Sequence, residues 1–189
     1  LKVITLRPKM NRFIANKNLY QRNGVSAAFV IKKQFSDTSE EGLAFIHASG
    51  DDNLESVHNE IYRQVTQCRH DGKNSTDKSM DLFNSLPRFL GKAIVEILCF
   101  LDRHGKIPCS IVASDPFYSS AVLSNLGSIK LRSGYHHLTN WGTTSLFIVI
   151  GEKKMRPFYN ADGSFVMHDS VDLGLTVDER IADGYYFSK

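Results

Sequence analysis

Alternation of apolar and polar positions is strictest near the C-terminus. In VDLGLTVD, residues 171–178, Val171, Leu173, Leu175 and Val177 alternate with Asp172, Gly174, Thr176 and Asp178, the period-two pattern of a strand with one buried face. Extending that parity sets Glu179 and Ile181 on the aliphatic side and Arg180 with Asp178 on the polar side. A carboxylate on the aliphatic side is desolvated, which favours its neutral form and raises its pKa, so Glu179 is a candidate general acid or base. A bulge or twist at the strand end would break the parity and leave Glu179 as a surface partner of Arg180 or of a distant lysine. Asp183-Gly184 reads as a turn.

Shorter apolar runs predict strands over 24–35 (GVSAAFVIKKQF) and 43–47 (LAFIH), paired as an antiparallel hairpin with a long loop. AVLSNLGSI, 121–129, is a strand entering a turn at Asn125 and Gly127; SLFIVIGE, 145–152, is a strongly apolar strand; NADG, 160–163, is a hairpin turn. Leu54, Val57, Ile61, Val65 and Cys68 recur at helical spacing and predict a helix over 53–69 that covers one face of the sheet. Asp52 with Glu55 three residues on supplies a capping-box-like start. A second helical region over 80–103 is interrupted at Pro87 and stopped by Gly105 after His104. Phe89, Leu90, Ala93, Ile94, Ile97, Leu98, Phe100 and Leu101 make it apolar around most of its circumference, so it is buried or faces a partner subunit. Residues 70–79 read as a solvated loop, and 108–119 as irregular. There is no internal repeat and no low-complexity segment.

At 189 residues and 42% hydrophobic, the chain suits one compact domain over 1–189, a length that buries roughly 70% of the unfolded surface. A net charge of +3 with basic side chains scattered singly offers no stripe for nucleic acid. Cys68, Cys99 and Cys109 form an odd set without a CxxC pair, which argues against a disulfide framework or a metal site and for a reducing, cytoplasmic setting. The most apolar stretch, 86–101, carries Arg88, Lys92 and Glu96 and is too short to span a bilayer, so no membrane is expected. The start LKVITLRPKMNRF has no signal-peptide form. Its apolar 1–6 run, and Tyr185, Tyr186 and Phe187 at the other end, read as the ordered part of a longer chain. GxSxG, GxxxxGK[ST], GxGxxG and HExxH are all absent, which removes the common hydrolase, nucleotidase, dinucleotide and zinc-protease readings. His136 and His137, as neighbours on a strand, would point to opposite faces and make poor joint ligands. Lys153 and Lys154, beside a strand end, face phosphate or solvent.

SNLGSI at 124–129, followed by TTSLFIVIGE, a turn and VDLGLTVDERIADGYYF, resembles the catalytic domain of the acyltransferase component of 2-oxo acid dehydrogenase complexes, whose fold is shared with chloramphenicol acetyltransferase. The likeness extends upstream through MNRFIANKNLYQRNGVSAAFVIKKQFSDTSEEGLAFI and covers roughly residues 8–187, with little to align over 70–119. The resemblance implies an α/β two-layer sandwich with a mixed sheet covered by helices, assembled as a homotrimer with active-site channels between subunits. It implies acyl-CoA as substrate and a small-molecule thiol or hydroxyl acceptor. The family's terminal motif is Asp-His-Arg-x-x-Asp-Gly, in which the histidine is the general base. Asp178, Arg180, Asp183 and Gly184 match, and Glu179 stands where the histidine belongs.

By the same resemblance Ser124 is the hydroxyl that donates to the tetrahedral oxyanion, a contribution of about 3 kcal/mol for one such donor. Asp183 is the aspartate that fixes the catalytic loop. A carboxylate base satisfies the pKa requirement if buried, but its charge opposes a nearby oxyanion, as neutral imidazole does not. Two functions therefore stay open: a CoA-dependent acyltransferase with Glu179 as base, and a catalytically inactive relative that serves as a binding or assembly module. No lipoyl-type domain precedes the fold in this sequence, so membership of a dehydrogenase complex is not implied.

Overall fold

The computed structural model describes residues 1–33, 41–70 and 85–189. A short helix α1 (Lys2–Leu6) and a 3-10 turn (Pro8–Asn11) lead into a two-stranded hairpin, β1 (Arg12–Ala15) and β2 (Asn18–Gln21). The hydrophobic pattern alone predicts no element over these residues. Its turn is made by Asn16 and Lys17, both with positive φ, at 46° and 62°, the primed geometry that matches strand twist. Asn11, only 5% exposed, ties the start of the hairpin to the segment that leaves it for β3 by donating to the Gly24 carbonyl at 2.9 Å and the Arg22 carbonyl at 3.4 Å.

The main sheet has five strands in the order β4-β3-β5-β6-β7, formed by β3 (Ser26–Lys32), β4 (Glu41–His47), β5 (Ala121–Asn125), β6 (Leu146–Tyr159) and β7 (Phe165–Val177). β3 pairs antiparallel with β4 and β6 with β7, whereas β5 lies parallel to both neighbours. The sheet is therefore mixed, and the fold is mixed α/β. The predicted hairpin of β3 with β4 is present, and the NADG turn joins the β6–β7 hairpin, with Gly163 at φ +83°. Both strands of that hairpin run longer than the apolar pattern indicates, because exposed residues past 152 continue the ladder to Tyr159↔Phe165.

Ala27, Ala121, Leu146 and Val177 share one row across the sheet, and Ala28, Val122, Phe147 and Thr176 the next row on the opposite face. Ile4, Met10, Val25 and Phe187 cover the first row; Phe45, Leu126 and Leu138 cover the second. Leu146, 1% exposed, is among the best buried, a position worth about 1.5–3 kcal/mol in transfer alone.

Helix α2 (Leu54–His70) closes one edge, its Val65 and Cys68 meeting Phe29, Ile31 and Ala44. Gln64 extends that contact by accepting from the Phe45 amide at 2.8 Å and donating back to the Phe45 carbonyl. Its cap lies one residue later than expected. Asn53 Oδ1 accepts from the Ser56 amide at 2.8 Å while Ser56 Oγ accepts from the Asn53 amide at 3.1 Å, the reciprocal capping pattern with Ser56 in place of Glu55.

Helix α3 (Arg88–Arg103) begins after Pro87 and ends at Gly105, whose φ is +64°. Gly105 N–H donates to the Asp102 carbonyl at 2.9 Å and Lys106 N–H to the Leu101 carbonyl at 2.8 Å, a Schellman stop. None of its residues is buried, and Phe89 is 72% exposed. Of the two fates its all-round apolarity allowed, burial is not found among the described residues. A short helix α4 (Cys109–Ser114) and a 3-10 turn (Pro116–Tyr118) occupy the stretch expected to be irregular, each opened by a proline. The last helix is α5 (Gly184–Phe187). The loop expected over 70–79 and the helical segment over 80–84 fall outside the described residues, apart from His70, which ends α2.

β7 keeps its predicted parity but buries the opposite face. Val171, Leu173 and Leu175 are 47%, 64% and 42% exposed, whereas Gly174 is buried. The reason is the backbone of 131–144, which lies against the polar side of the strand so closely that a Cβ on Gly174 would sit 1.8 Å from the Gly134 carbonyl oxygen. The same segment corrects the expectation for the histidines. His136 and His137 are not on a strand; their rings stack at 4.8 Å, and His136 lies flat on Phe147 at 4.1 Å.

Candidate functional site

The corner after β7 is built around Asp178, not Glu179. β7 ends at Val177, and the Asp178 amide makes one further bond to the Ser145 carbonyl at 2.9 Å before the chain turns. That turn ends the alternation, so Glu179 points outward and is exposed while Asp178 is only 8% exposed. The expected desolvation of Glu179 is therefore not found within the chain. Asp178 accepts from the Arg180 amide at 3.0 Å, from Arg180 Nε at 2.8 Å and from Nη2 at 2.7 Å. Burial alone would raise its pKa, but the Arg180 hydrogen bonds and charge outweigh it and hold the carboxyl below the usual carboxylate range.

Beyond Ile181, which is 2% exposed, Asp183 caps α5 by accepting from the Tyr186 amide at 2.7 Å. Asp183 thus acts as the N-cap of the helix that follows the turn. The end is pinned to the start of the chain. Arg7 lies over the Tyr186 ring at 4.1 Å and donates from Nη2 to the Tyr186 carbonyl at 2.6 Å.

Ser124 sits near the C-terminal end of β5, half-buried, in register with Val149. The strand then enters a 3-10 turn (Leu126–Ile129) opened by Asn125, whose Oδ1 accepts from the Ser128 amide at 3.3 Å. Gly127 has a packing reason: a Cβ there would lie 2.5 Å from the Gly151 carbonyl oxygen. Gly151 in turn lies under Ser133, and the β6 bulge between Ile150 and Lys153 is held by the Glu152 amide donating to the Leu131 carbonyl at 2.9 Å. The SNLG segment is clamped on β6 by contacts that only glycine permits. Lys153 and Lys154 beyond the bulge pair with Asp169 and Glu152, each at 2.6 Å.

Ser124 and the end of β7, from which the turn to Glu179 leaves, stand apart within one chain. Val177 pairs with Leu146 and Ser124 with Val149, which by strand rise and spacing separates their Cα atoms by about 14 Å. The structure also gathers residues that sequence reasoning missed, above all Arg22 at the end of β2. It donates to the Thr143 carbonyl at 2.7 Å and hydroxyl at 2.8 Å and to the Ser119 carbonyl at 3.1 Å. A single arginine in a turn-rich stretch gives no sequence signal of that burial.

No family model matches the chain, and no curated protein matches it by sequence. Solved structures do match. A probable dihydrolipoamide acetyltransferase from Listeria monocytogenes superposes with a TM-score of 0.62 at 14% identity, over 99% of this chain and 61% of its own. The cubic core of a pyruvate dehydrogenase multienzyme complex gives 0.62 at 13% identity, over 98% of this chain and 59% of its own. A chloramphenicol acetyltransferase gives 0.52 at 11% identity, over 100% of this chain and 68% of its own. The chain thus spans 61% and 59% of the length of the first two, and its fold is the one these acyltransferase structures share.

Proposed function

We propose that residues 1–189 form a single acyltransferase domain, homotrimeric and cytoplasmic, that moves a short acyl group from CoA to a small thiol or hydroxyl acceptor. The observation that carries the reading is the shared fold over nearly the whole chain, together with SNLG at the exit of β5 and DERIADG at the exit of β7. In the proposed reaction Glu179 accepts the proton of the acceptor X–H, and X attacks the thioester carbonyl. Ser124 donates to the resulting oxyanion. The attack forms the X–C bond; collapse then restores the carbonyl, breaks the C–S bond and passes the proton from Glu179 to the departing CoA thiolate. The separation of Ser124 from the end of β7 within one chain, together with the exposure of Glu179, supports a site assembled from two subunits. A neighbouring subunit over the exposed Glu179 would also supply the desolvation that a carboxylate base needs.

A second reading rests on Glu179 itself. An anionic carboxylate close to an oxyanion opposes its formation, which favours an inactive relative that binds or assembles on the same fold. The experiment that separates the two is CoA release from acetyl-CoA by the purified protein, offered dihydrolipoamide and a panel of hydroxyl acceptors, with Glu179→Gln alongside. Acceptor-dependent release that collapses in the Gln variant supports the enzyme. Release at the buffer rate with every acceptor moves the balance to the binding module.

A further inference from the structure

Between the β1–β2 hairpin, the end of α3 and the Pro116–Tyr118 turn lies a cavity of about 400 Å³, within the size range of small-molecule sites. Neither Ser124 nor Glu179 nor Asp183 lines it. Its apolar walls include Phe13, Tyr20, Ile107 and Val112, and the Phe13 and Tyr20 rings are stacked at 5.5 Å. Five polar side chains also line it: Arg22, Asp102, His104, Tyr118 and Thr143.

The charges of that wall are unequally satisfied. The Asp102 carboxylate accepts from Tyr118 Oη at 2.6 Å and from the Gly142 amide at 3.2 Å. Burial and Asp102 push the Tyr118 phenol up, so it stays a neutral donor. Arg22 is different. Its guanidinium lies 4.4 Å from the Phe13 ring centroid, its acceptors on Ser119 and Thr143 are all uncharged, and its buried Nη1 has no partner among the described residues. Burial lowers its pKa to about 10, and no ion pair to a carboxylate offsets this among the described residues. A buried cation without a counter-charge is costly. The group that relieves it is a carboxylate, whose two oxygens match the planar donor fork of arginine.

We propose that this cavity binds a small carboxylate with a flat or aliphatic apolar body, its charge on Arg22 and its body against Phe13 and Tyr20. The cavity does not include Ser124, Glu179 or Asp183, and its test uses no acyl-CoA, so its failure and that of the acyl-transfer reading are read separately.

The test is titration of the intact protein with benzoate and with benzamide, its neutral counterpart of the same shape, followed by calorimetry or ligand-observed NMR. Benzoate is expected to bind at least about tenfold tighter than benzamide, the smaller end of what a charge-assisted hydrogen bond contributes. Val112→Trp, which fills the cavity from a rim position 39% exposed, should abolish binding while leaving the melting temperature near that of the parent. Arg22→Gln should bring the benzoate preference close to one. Because Arg22 also ties the hairpin to Ser119 and Thr143, a Gln variant that fails to fold leaves the decision to Val112→Trp and the benzoate–benzamide pair. Equal binding of the two probes, benzoate binding that survives Val112→Trp, or no benzoate binding at millimolar concentration would each overturn the proposal.

Discussion

Replacing Asp178 by asparagine should destabilise this protein more than replacing its neighbour Glu179 by glutamine. Asp178 is the buried member of the pair, with a side chain 9% exposed against 70% for Arg180. The change keeps the shape of the side chain but removes the charge that three Arg180 donors share. Breaking a fully buried ion pair costs about 3–5 kcal/mol, yet Arg180 is mostly solvated and regains water when released, so the exposed-pair discount applies. About 1–2 kcal/mol remains, of the order of one charge-assisted hydrogen bond. For a domain of this length that is a fall of about 3–6 °C in melting temperature.

The dependence on pH has a definite sign. The folded-state pKa of Asp178 lies below the ordinary value, so its contribution is complete above the unfolded pKa of about 3.9. It is lost as pH falls through the lower, folded value. Thermal melts at pH 7 should therefore separate parent from Asp178→Asn, and melts taken progressively below pH 4 should bring the two together. Glu179→Gln, at an exposed site, should stay within about 0.5 kcal/mol of the parent throughout. An Asp178→Asn variant that melts with the parent at pH 7, or a larger loss in Glu179→Gln, would refute the assignment of Asp178 as the anchor of this corner.

Three further outcomes follow from the packing. Gly127→Ala must move backbone that lies 2.5 Å from its new methyl and should cost about 1–3 kcal/mol in urea unfolding, whereas Gly24→Ala, with nothing within 4 Å, should cost little. Asn53→Ala should lose about 1 kcal/mol of helix capping and Glu55→Ala almost none, read from chemical denaturation with circular dichroism at 222 nm as the helix signal. Ile97→Asp on α3, at a position 59% exposed, should leave the fold of the single chain intact. If the trimer reading is right and α3 is one of its faces, sedimentation velocity should show the variant shifted to smaller species.

The sequence by itself determined the elements whose cause is local. The β3–β4 hairpin, the turn at residues 160–163, the proline start and glycine stop of α3, and the period-two pattern of β7 all follow from neighbours within a few residues, and the structure contains each. The fold was also legible in the order of SNLG and DERIADG. Tertiary structure alone decided what those patterns were used for. Periodicity sets which side chains of β7 share a face, but burial depends on which distant segment arrives there. Residues 131–144 came to the glycine and threonine side and left Leu173 and Leu175 to solvent. The turn after Val177 then reversed the roles of two adjacent acids, burying Asp178 against Arg180 and turning Glu179 outward. Arg22 shows the same limit more sharply. Nothing within ten residues of it predicts a desolvated guanidinium, because its burial comes from Ser119 and Thr143, 97 and 121 residues away along the chain.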